Sequence, residues 1–253
     1  MGTKIKKISI GILAFVCVFM LSACGGEKSE ETYKVVMEPT FPPFDITNDS
    51  GEVDGFDKEL LEAVAKDQGF KISWETLEFD ALIPAITSKQ ADIIASGMNA
   101  LDPARQKKVA FSDTYYDSGL VILVKNDSSI TGIGDFTAEM NVAGQIGTTG
   151  ADKANELAKS GKIAKAVILN KNSEAIMQLQ NGDISAFIID KPVAENYIKK
   201  QGDKLKIVGE TMNAESYGFA VNKENKELLK KINEGLKNLK ENGEYDKIYK
   251  KWF

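Results

Sequence analysis

From residue 33 to the end of the chain, short apolar runs alternate with amphipathic stretches. Residues 34–37 read as a strand. Residues 57–68 then place Leu60, Leu61 and Val64 on one helical face, and Gly69 supplies a stop after them. Asp80 stands where it would cap a helix running through Leu82, Ile83 and Ile86. Residues 92–96 form an apolar strand. Asp102-Pro103 is an N-cap and first-turn pair for a short helix, because the carboxylate accepts from otherwise orphaned N–H groups. A second series begins near Gly119. Residues 120–124, 141–143, 166–169 and 184–189 read as strands, with helices starting near Thr149, Asn172 and Pro192. Residues 217–221 make a last strand. A Lys- and Glu-rich helix follows, with Leu228, Leu229, Ile232, Leu236 and Leu239 on one face. No internal repeat stands out. This alternation predicts an α/β fold with a largely parallel sheet.

The 253 residues suffice for one large domain or two lobes of roughly 100 residues each. Hydrophobic residues make up 43% of the chain, which is ample for a core. The net charge is −5 and the body carries no basic block flanked by aromatics, which argues against nucleic acid as a partner. Two absences narrow the chemistry. There is no histidine, the side chain most used for acid–base work near neutral pH. The two cysteines, Cys17 and Cys24, both lie in the first tenth of the chain, so the body offers no thiol nucleophile, disulfide or structural zinc site. No metal or other cofactor is expected.

Those first residues read as an export signal: Lys4, Lys6 and Lys7, then an apolar run over 8–21, too short to span a bilayer comfortably. Leu21-Ser22-Ala23-Cys24 resembles the lipobox of bacterial lipoproteins. That resemblance implies a signal peptide at 1–23, a diacylglycerol on the Cys24 thiol and a flexible tether over 24–32, which is small and charged. Loss of the three signal lysines moves the net charge from −5 to about −8. The expected location is the outer face of the cell membrane, with the protein held there by the lipid.

A set of short motifs runs through the rest. They are Pro42-Pro43-Phe44, Gly55-Phe56-Asp57, Ile83-Pro84-Ala85, the run 92–97, Arg105, Phe111-Ser112, Tyr115-Tyr116, Gly147-Thr148-Thr149, Asp190, and the ending Ile248-Tyr249-Lys250-Lys251-Trp252-Phe253. In this order and spacing the chain from Tyr33 resembles bacterial extracellular solute-binding protein family 3, the amino-acid-binding components of polar amino-acid ABC importers. The resemblance implies a two-lobed, type II periplasmic-binding-protein-like α/β fold. Two crossover strands join the lobes, and the ligand lies in the cleft between them. With crossovers near 115–119 and 213–217, lobe 1 is expected over 33–117 and 216–253, and lobe 2 over 118–215.

An amino acid presents a carboxylate, an ammonium and a side chain, and each has a candidate partner. Arg105 is the only arginine among 32 basic residues, and its planar fork meets a carboxylate with two parallel hydrogen bonds. The resemblance points to the same residue. It also implies ligand contacts from Ser96, Gly97 and Asn99, although Arg105 falls eight residues after Gly97 where the family usually has seven. The extra residue within 99–103 is expected to bulge. Thr148 and Thr149 lie between a strand and a helix, where free N–H groups favour an anion. Asp190, at the carboxyl end of a strand, is the candidate for the ammonium, and could also cap the helix that follows. Phe41 and Phe79 resemble the aromatic pair that sandwiches ligands in the family. Glu38 falls where many members have a ligand-contacting aspartate, and some branches, cystine-binding ones included, have glutamate. Gln145 and Ile189 occupy other lining positions.

The expected function is capture of an L-amino acid, polar or basic favoured and cystine possible, by a monomer that presents it to an ABC permease. It is expected to act without catalysis. Two alternatives stay open at this point: a cyclohexadienyl-dehydratase-like enzyme on the same scaffold, for which Glu38 is the plausible proton donor, and a ligand-sensing receptor partner.

Overall fold

A computed structural model describes residues 31–202 and 204–253; the signal peptide, Cys24 and most of the tether lie outside the described residues. The chain opens with β1 (Thr32–Met37). A small antiparallel sheet of β2 (Thr40–Phe41), β3 (Asp45–Thr47) and β4 (Val53–Asp54) leads into α1 (Phe56–Gln68). Next come β5 (Lys71–Thr76), α2 (Phe79–Thr87), β6 (Ile93–Ile94), the one-turn α3 (Pro103–Gln106) and β7 (Ala110–Phe111). Through β8 (Tyr116–Lys125) the chain passes to β9 (Asn141–Gln145), α4 (Thr149–Lys159), β10 (Lys165–Leu169), α5 (Asn172–Asn181), β11 (Ala186–Asp190) and α6 (Lys191–Gln201). It returns through β12 (Leu205–Tyr217) to β13 (Ala220–Val221), α7 (Lys226–Glu241) and α8 (Glu244–Trp252).

Among the described residues, two five-stranded sheets result, in the orders β5-β1-β6-β13-β7 and β10-β9-β11-β8-β12. Each is the floor of one lobe. Both are mixed rather than largely parallel. β5, β1 and β6 run parallel in one, and β10, β9 and β11 in the other. β13 in the first sheet and β8 in the second run antiparallel to both of their neighbours, so the edge strands β7 and β12 again point the way of the parallel strands. β8 and β12 are the link between lobes, paired from Tyr116↔Tyr217 to Lys125↔Leu205 with irregularities on either side of Met212.

The strands read as unbroken apolar runs because both sheet faces are covered. With a side-chain period of two, Val35 packs with Phe44, Leu60 and Val64 of one cluster, and Val36 with Phe79, Leu82 and Ile86 of another. In the second sheet Leu120, Ile122 and Ile188 face α4, while Val121, Leu123, Phe187 and Ile189 face the opposite cluster. α7 buries the face of Leu228, Ile232, Leu236 and Leu239, with Leu229 only partly covered.

Local differences from the sequence reading have local causes. Thr32, expected in the tether, already pairs with Lys71 in β1. α2 starts at Phe79 after an extended Glu78, so Asp80 lies in the first turn, where it faces the positive end of the helix dipole, and is not the cap. β6 keeps only Ile93 and Ile94, because beyond Ala95 the chain turns towards a left-handed Gly97 at φ 48°. The strand expected over 217–221 is split between the end of β12 and β13. The aromatic ending forms α8, whose Tyr249 and Phe253 stack with Tyr116. Among the described residues no helix is long and apolar enough to cross a membrane.

Candidate functional site

Nine residues converge on one narrow cleft: Phe41, Phe79, Gly97, Asn99, Arg105, Thr148, Thr149, Asp190 and Glu215. They come from both lobes, at the carboxyl ends of strands and the starts of helices, where an open α/β sheet exposes unpaired backbone groups. Eight of the eleven residues singled out from sequence are therefore brought together. The other three, Glu38, Ser96 and Gln145, stand next to this wall and are tied to one another. Ser96 Oγ accepts from the Glu38 N–H at 3.0 Å, and Gln145 Nε2 donates to Glu38 Oε2 at 3.0 Å.

Arg105 is buried, 7% exposed, on the first turn after Asp102, whose carboxylate caps α3 through the N–H groups of Ala104 and Arg105. Before it the chain makes a turn at Ala100 and Leu101 that leaves Leu101 exposed, with Asn99 Oδ1 accepting from the Leu101 and Ser216 N–H groups. The guanidinium lies over the Phe79 ring, 5.4 Å from its centroid, and Nη2 donates across the cleft to the Gly147 carbonyl at 3.1 Å. Burial works against its charge, and Asp102, Glu215, Asp190 and Asp152 work for it. Opposite stands the N-terminus of α4. The Thr148 hydroxyl oxygen caps it by accepting from Ala151 N–H at 3.1 Å, and the hydroxyl donates back to Gln145 O at 2.7 Å. The Thr149 N–H belongs to the first turn, which has no carbonyl of its own helix to bond.

Asp190 ends β11 and precedes α6, yet its side chain makes no capping hydrogen bond. The carboxylate faces the cleft instead. Its Oδ1 lies 2.6 Å from the Tyr217 hydroxyl, which is also 2.9 Å from Ser118 Oγ. Burial first, then the charge of Glu215 and a hydrogen bond with it, push the Asp190 carboxyl well above the usual carboxylate range; Tyr217 and Arg105 pull the other way.

At the other end, strand order places Glu38, Gln145 and Asn170 toward β5 and β10, away from the connecting strands. Glu38 is 2% exposed. Its Oε2 accepts from Thr40 Oγ1 at 2.8 Å and from Gln145, while Oε1 is buried without a hydrogen-bond partner. Burial pushes this carboxyl up, and the bonds from Gln145 and Thr40 hold it down. Three contacts here join the lobes: Gln145 to Glu38, the Asn172 N–H to Thr40 Oγ1 at 3.2 Å, and the Tyr197 hydroxyl to Thr40 O at 3.1 Å. Within the second lobe, Asn172 Nδ2 donates to Gln145 Oε1 at 2.9 Å.

Between the ends runs the Phe41–Gly97 wall. A Cβ at Gly97 would collide with the Phe41 ring, so only glycine permits both the positive φ and the contact. Beneath it, Asp57 Oδ2 accepts from Gly97 N–H and from the Tyr115 hydroxyl, each at 2.7 Å. Burial raises Asp57 to about 7, and burial with the charges of Asp57 and Glu38 raises Asp45 well above the usual range. Sequence reasoning missed Glu215, Tyr217, Thr40 and Asn172 as members of the site. The spacing of Glu215 and Tyr217 was a usable signal: two residues apart on an extended crossover, they share one face.

A cleft between two lobes that offers a guanidinium to an anion, carboxylates to a cation and aromatic walls between them defines an amino-acid receptor. Residues 33–253 match the bacterial extracellular solute-binding proteins, family 3, and the chain belongs to that family. It is 36% identical to an arginine-binding periplasmic protein of Mannheimia haemolytica, an alignment covering 86% of this chain and 90% of the relative. It is 34% identical to an arginine-binding extracellular protein of Bacillus subtilis over 98% of both. Among solved structures, an ancestral arginine-binding protein bound to arginine superposes with a TM-score of 0.83 at 39% identity, covering 88% of this chain and 99% of that one. The fold is the two-lobed one expected. The protein is the extracytoplasmic amino-acid-binding component of an ABC importer, and the permease is its membrane partner.

Proposed function

We propose that the amino acid captured is cationic, with L-arginine the first candidate. Glu38 carries this reading: a buried carboxylate has one oxygen fixed by Thr40 and Gln145 and the other without a partner. A buried carboxylate lacks stabilisation until a cation or further donors reach it, and a guanidinium supplies both. In this reading Arg105 and the Thr149 N–H hold the ligand carboxylate and Asp190 takes the ammonium. Phe41 and Phe79 flank the aliphatic stem, and Glu38 meets the guanidinium. Ser96, Gly97, Asn99, Gln145 and Thr148 shape the walls. The arginine-binding relatives support the choice of ligand.

A thermal-shift screen against the twenty amino acids and cystine tests it. L-Arginine should give the largest upward shift, since a ligand at 100 times its dissociation constant adds about 2.7 kcal/mol. A larger shift with a neutral or acidic amino acid overturns the reading.

The remaining parts of the reading concern the whole chain. The lobes divide at 33–117 with 216–253 and at 118–215, supported by the pairing of Ser118 with Glu215 and of Tyr116 with Tyr217. The protein acts as a monomer that binds without turnover, and incubation with prephenate should yield no aromatic product. Leu21-Ser22-Ala23-Cys24 supports a lipid anchor on Cys24. Cys24→Ala should release the protein from membranes, and unchanged lipid labelling of that variant would contradict the anchor.

A further inference from the structure

Glu215 carries a consequence that the arginine reading leaves out. It sits on β12, 3% exposed, and lines the cleft together with Asp190, itself 7% exposed, close enough for its charge to act on that carboxyl. The groups that face Asp190 can be named from each side: Glu215 and Tyr217 from β12, Ser118 from β8 through the Tyr217 hydroxyl, and Arg105 from α3. Lys191, the next residue, turns to Glu195 on the exposed side of α6. Arg105 is thus the cation that Asp190 and Glu215 see. A ligand carboxylate on Arg105 neutralises it and leaves two carboxylates for whatever comes beside them.

An ammonium has three N–H donors in a tetrahedral fan, and where water is excluded each needs an acceptor. Asp190 alone supplies one direction. Two carboxylates from different strands supply two, and their summed charge suits a cation better than either alone. Before the ligand arrives, two neighbouring buried carboxylates that share the single charge of Arg105 do not both stay ionised, and the pair keeps one proton. Burial and the charge of Glu215 push the Asp190 carboxyl up, so the proton belongs to the pair.

We propose that Glu215 and Asp190 form a two-carboxylate receptor for the ligand ammonium, so that capture of the amino acid releases one proton. The ligand enters as –NH3+ and donates to both carboxylates, and the proton held by the pair leaves to the buffer. This inference rests on the reading of the cleft as an amino-acid site, but not on which side chain is bound.

The test is calorimetric titration of the wild-type protein with L-arginine in phosphate and in Tris, whose protonation enthalpies differ, across a pH series. About one proton should be released per ligand, and affinity should rise by up to about tenfold per pH unit while the pair holds its proton. L-Argininic acid, with a hydroxyl in place of the ammonium, should release none. Glu215→Gln removes the charge that keeps Asp190 protonated, so proton release should fall below about half and arginine affinity should drop about ten- to a hundredfold at the alkaline end. Equal heats in the two buffers with a flat pH profile overturn the proposal. So does a Glu215→Gln variant that binds within about threefold of the parent with an unchanged proton count. If L-arginine does not bind and another amino acid does, the arginine reading fails. The two-buffer titration with that amino acid and its 2-hydroxy analogue then decides the present proposal by the same outcomes.

Discussion

The two ends of the cleft are built on different principles. At the end beside β8 and β12, Arg105, Asp190 and Glu215 present charges to groups that every amino acid has. At the other end Glu38 is fixed by Thr40 and Gln145, and the same network runs on through Asn172 and Tyr197 to join the lobes. The first end secures the class of ligand. The second reads the side chain with a residue that also fastens the closed form. Losing a charge at the first end should therefore abolish recognition of amino acids in general, and a change at the second should alter choice among them or the ease of closure.

The largest effect is expected at Arg105. Truncating one partner of a desolvated charge pair costs about 2–5 kcal/mol, or roughly thirtyfold to several thousandfold in affinity. Arg105→Ala and Arg105→Lys should both show it by titration calorimetry, since an ammonium cannot reproduce the bidentate fork. The ligand-free melting temperature should change far less. Binding of either variant within about threefold of the parent would mean that the carboxylate is held elsewhere.

Next comes Glu38→Gln, which keeps the size and removes the charge. A hydrogen bond to a charged group is worth about 1.5–3 kcal/mol, so arginine affinity should fall roughly ten- to a hundredfold and the preference for L-arginine over L-glutamine should collapse. An equal loss for both ligands would assign Glu38 to closure rather than to choice.

A third effect lies between the ends, where Asp57 holds Gly97. Asp45 and Asp57 are raised in the folded state, so that state binds protons the unfolded chain has released. Their contribution to stability is complete below the unfolded carboxylate pKa and, for Asp57, is lost as pH rises through about 7. The melting temperature of the ligand-free protein should thus fall as pH rises from about 4 to about 7, with a slope of at most about 1.4 kcal/mol per pH unit for each proton, and the Asp57 part should level off above that. Asp57→Asn should flatten it.

The smallest effect is expected at Tyr197→Phe, which removes one neutral hydrogen bond between lobes, to Thr40 O. At about 1 kcal/mol this weakens every ligand by roughly fivefold and leaves their ranking intact. A changed ranking would move Tyr197 into side-chain recognition.

How much of this was legible in the sequence follows from what each residue depends on. Strands buried on both faces announce themselves as continuous apolar runs, and α7 does so by its 3.6-residue stripe. Their existence was plain, while their ends, as at β6, depend on tertiary pairing. Arg105 was legible because a lysine-rich chain uses arginine once. Asp190 was visible at a strand end, but its freedom from capping was not, because that turns on a single rotamer held by Tyr217. In a chain with 37 acidic residues Glu215 has only its two-residue spacing from Tyr217 as a signal, and Asn172 has none; the pairing of β8 with β12 and the approach of α5 to β2 give them meaning. The acids Asp45 and Asp57 likewise look solvated in a sequence, and burial is what changes their chemistry.

The bond from the Tyr197 hydroxyl to the Thr40 carbonyl joins protein to protein and leaves the groups that fix Glu38 untouched. The observed dissociation constant is then an intrinsic one divided by the fraction of molecules already closed. A substitution at this bond moves the second factor alone. Affinity and selectivity are therefore separate dials in this fold: the importer's working concentration range can be reset from the rim without rewriting what the cleft accepts.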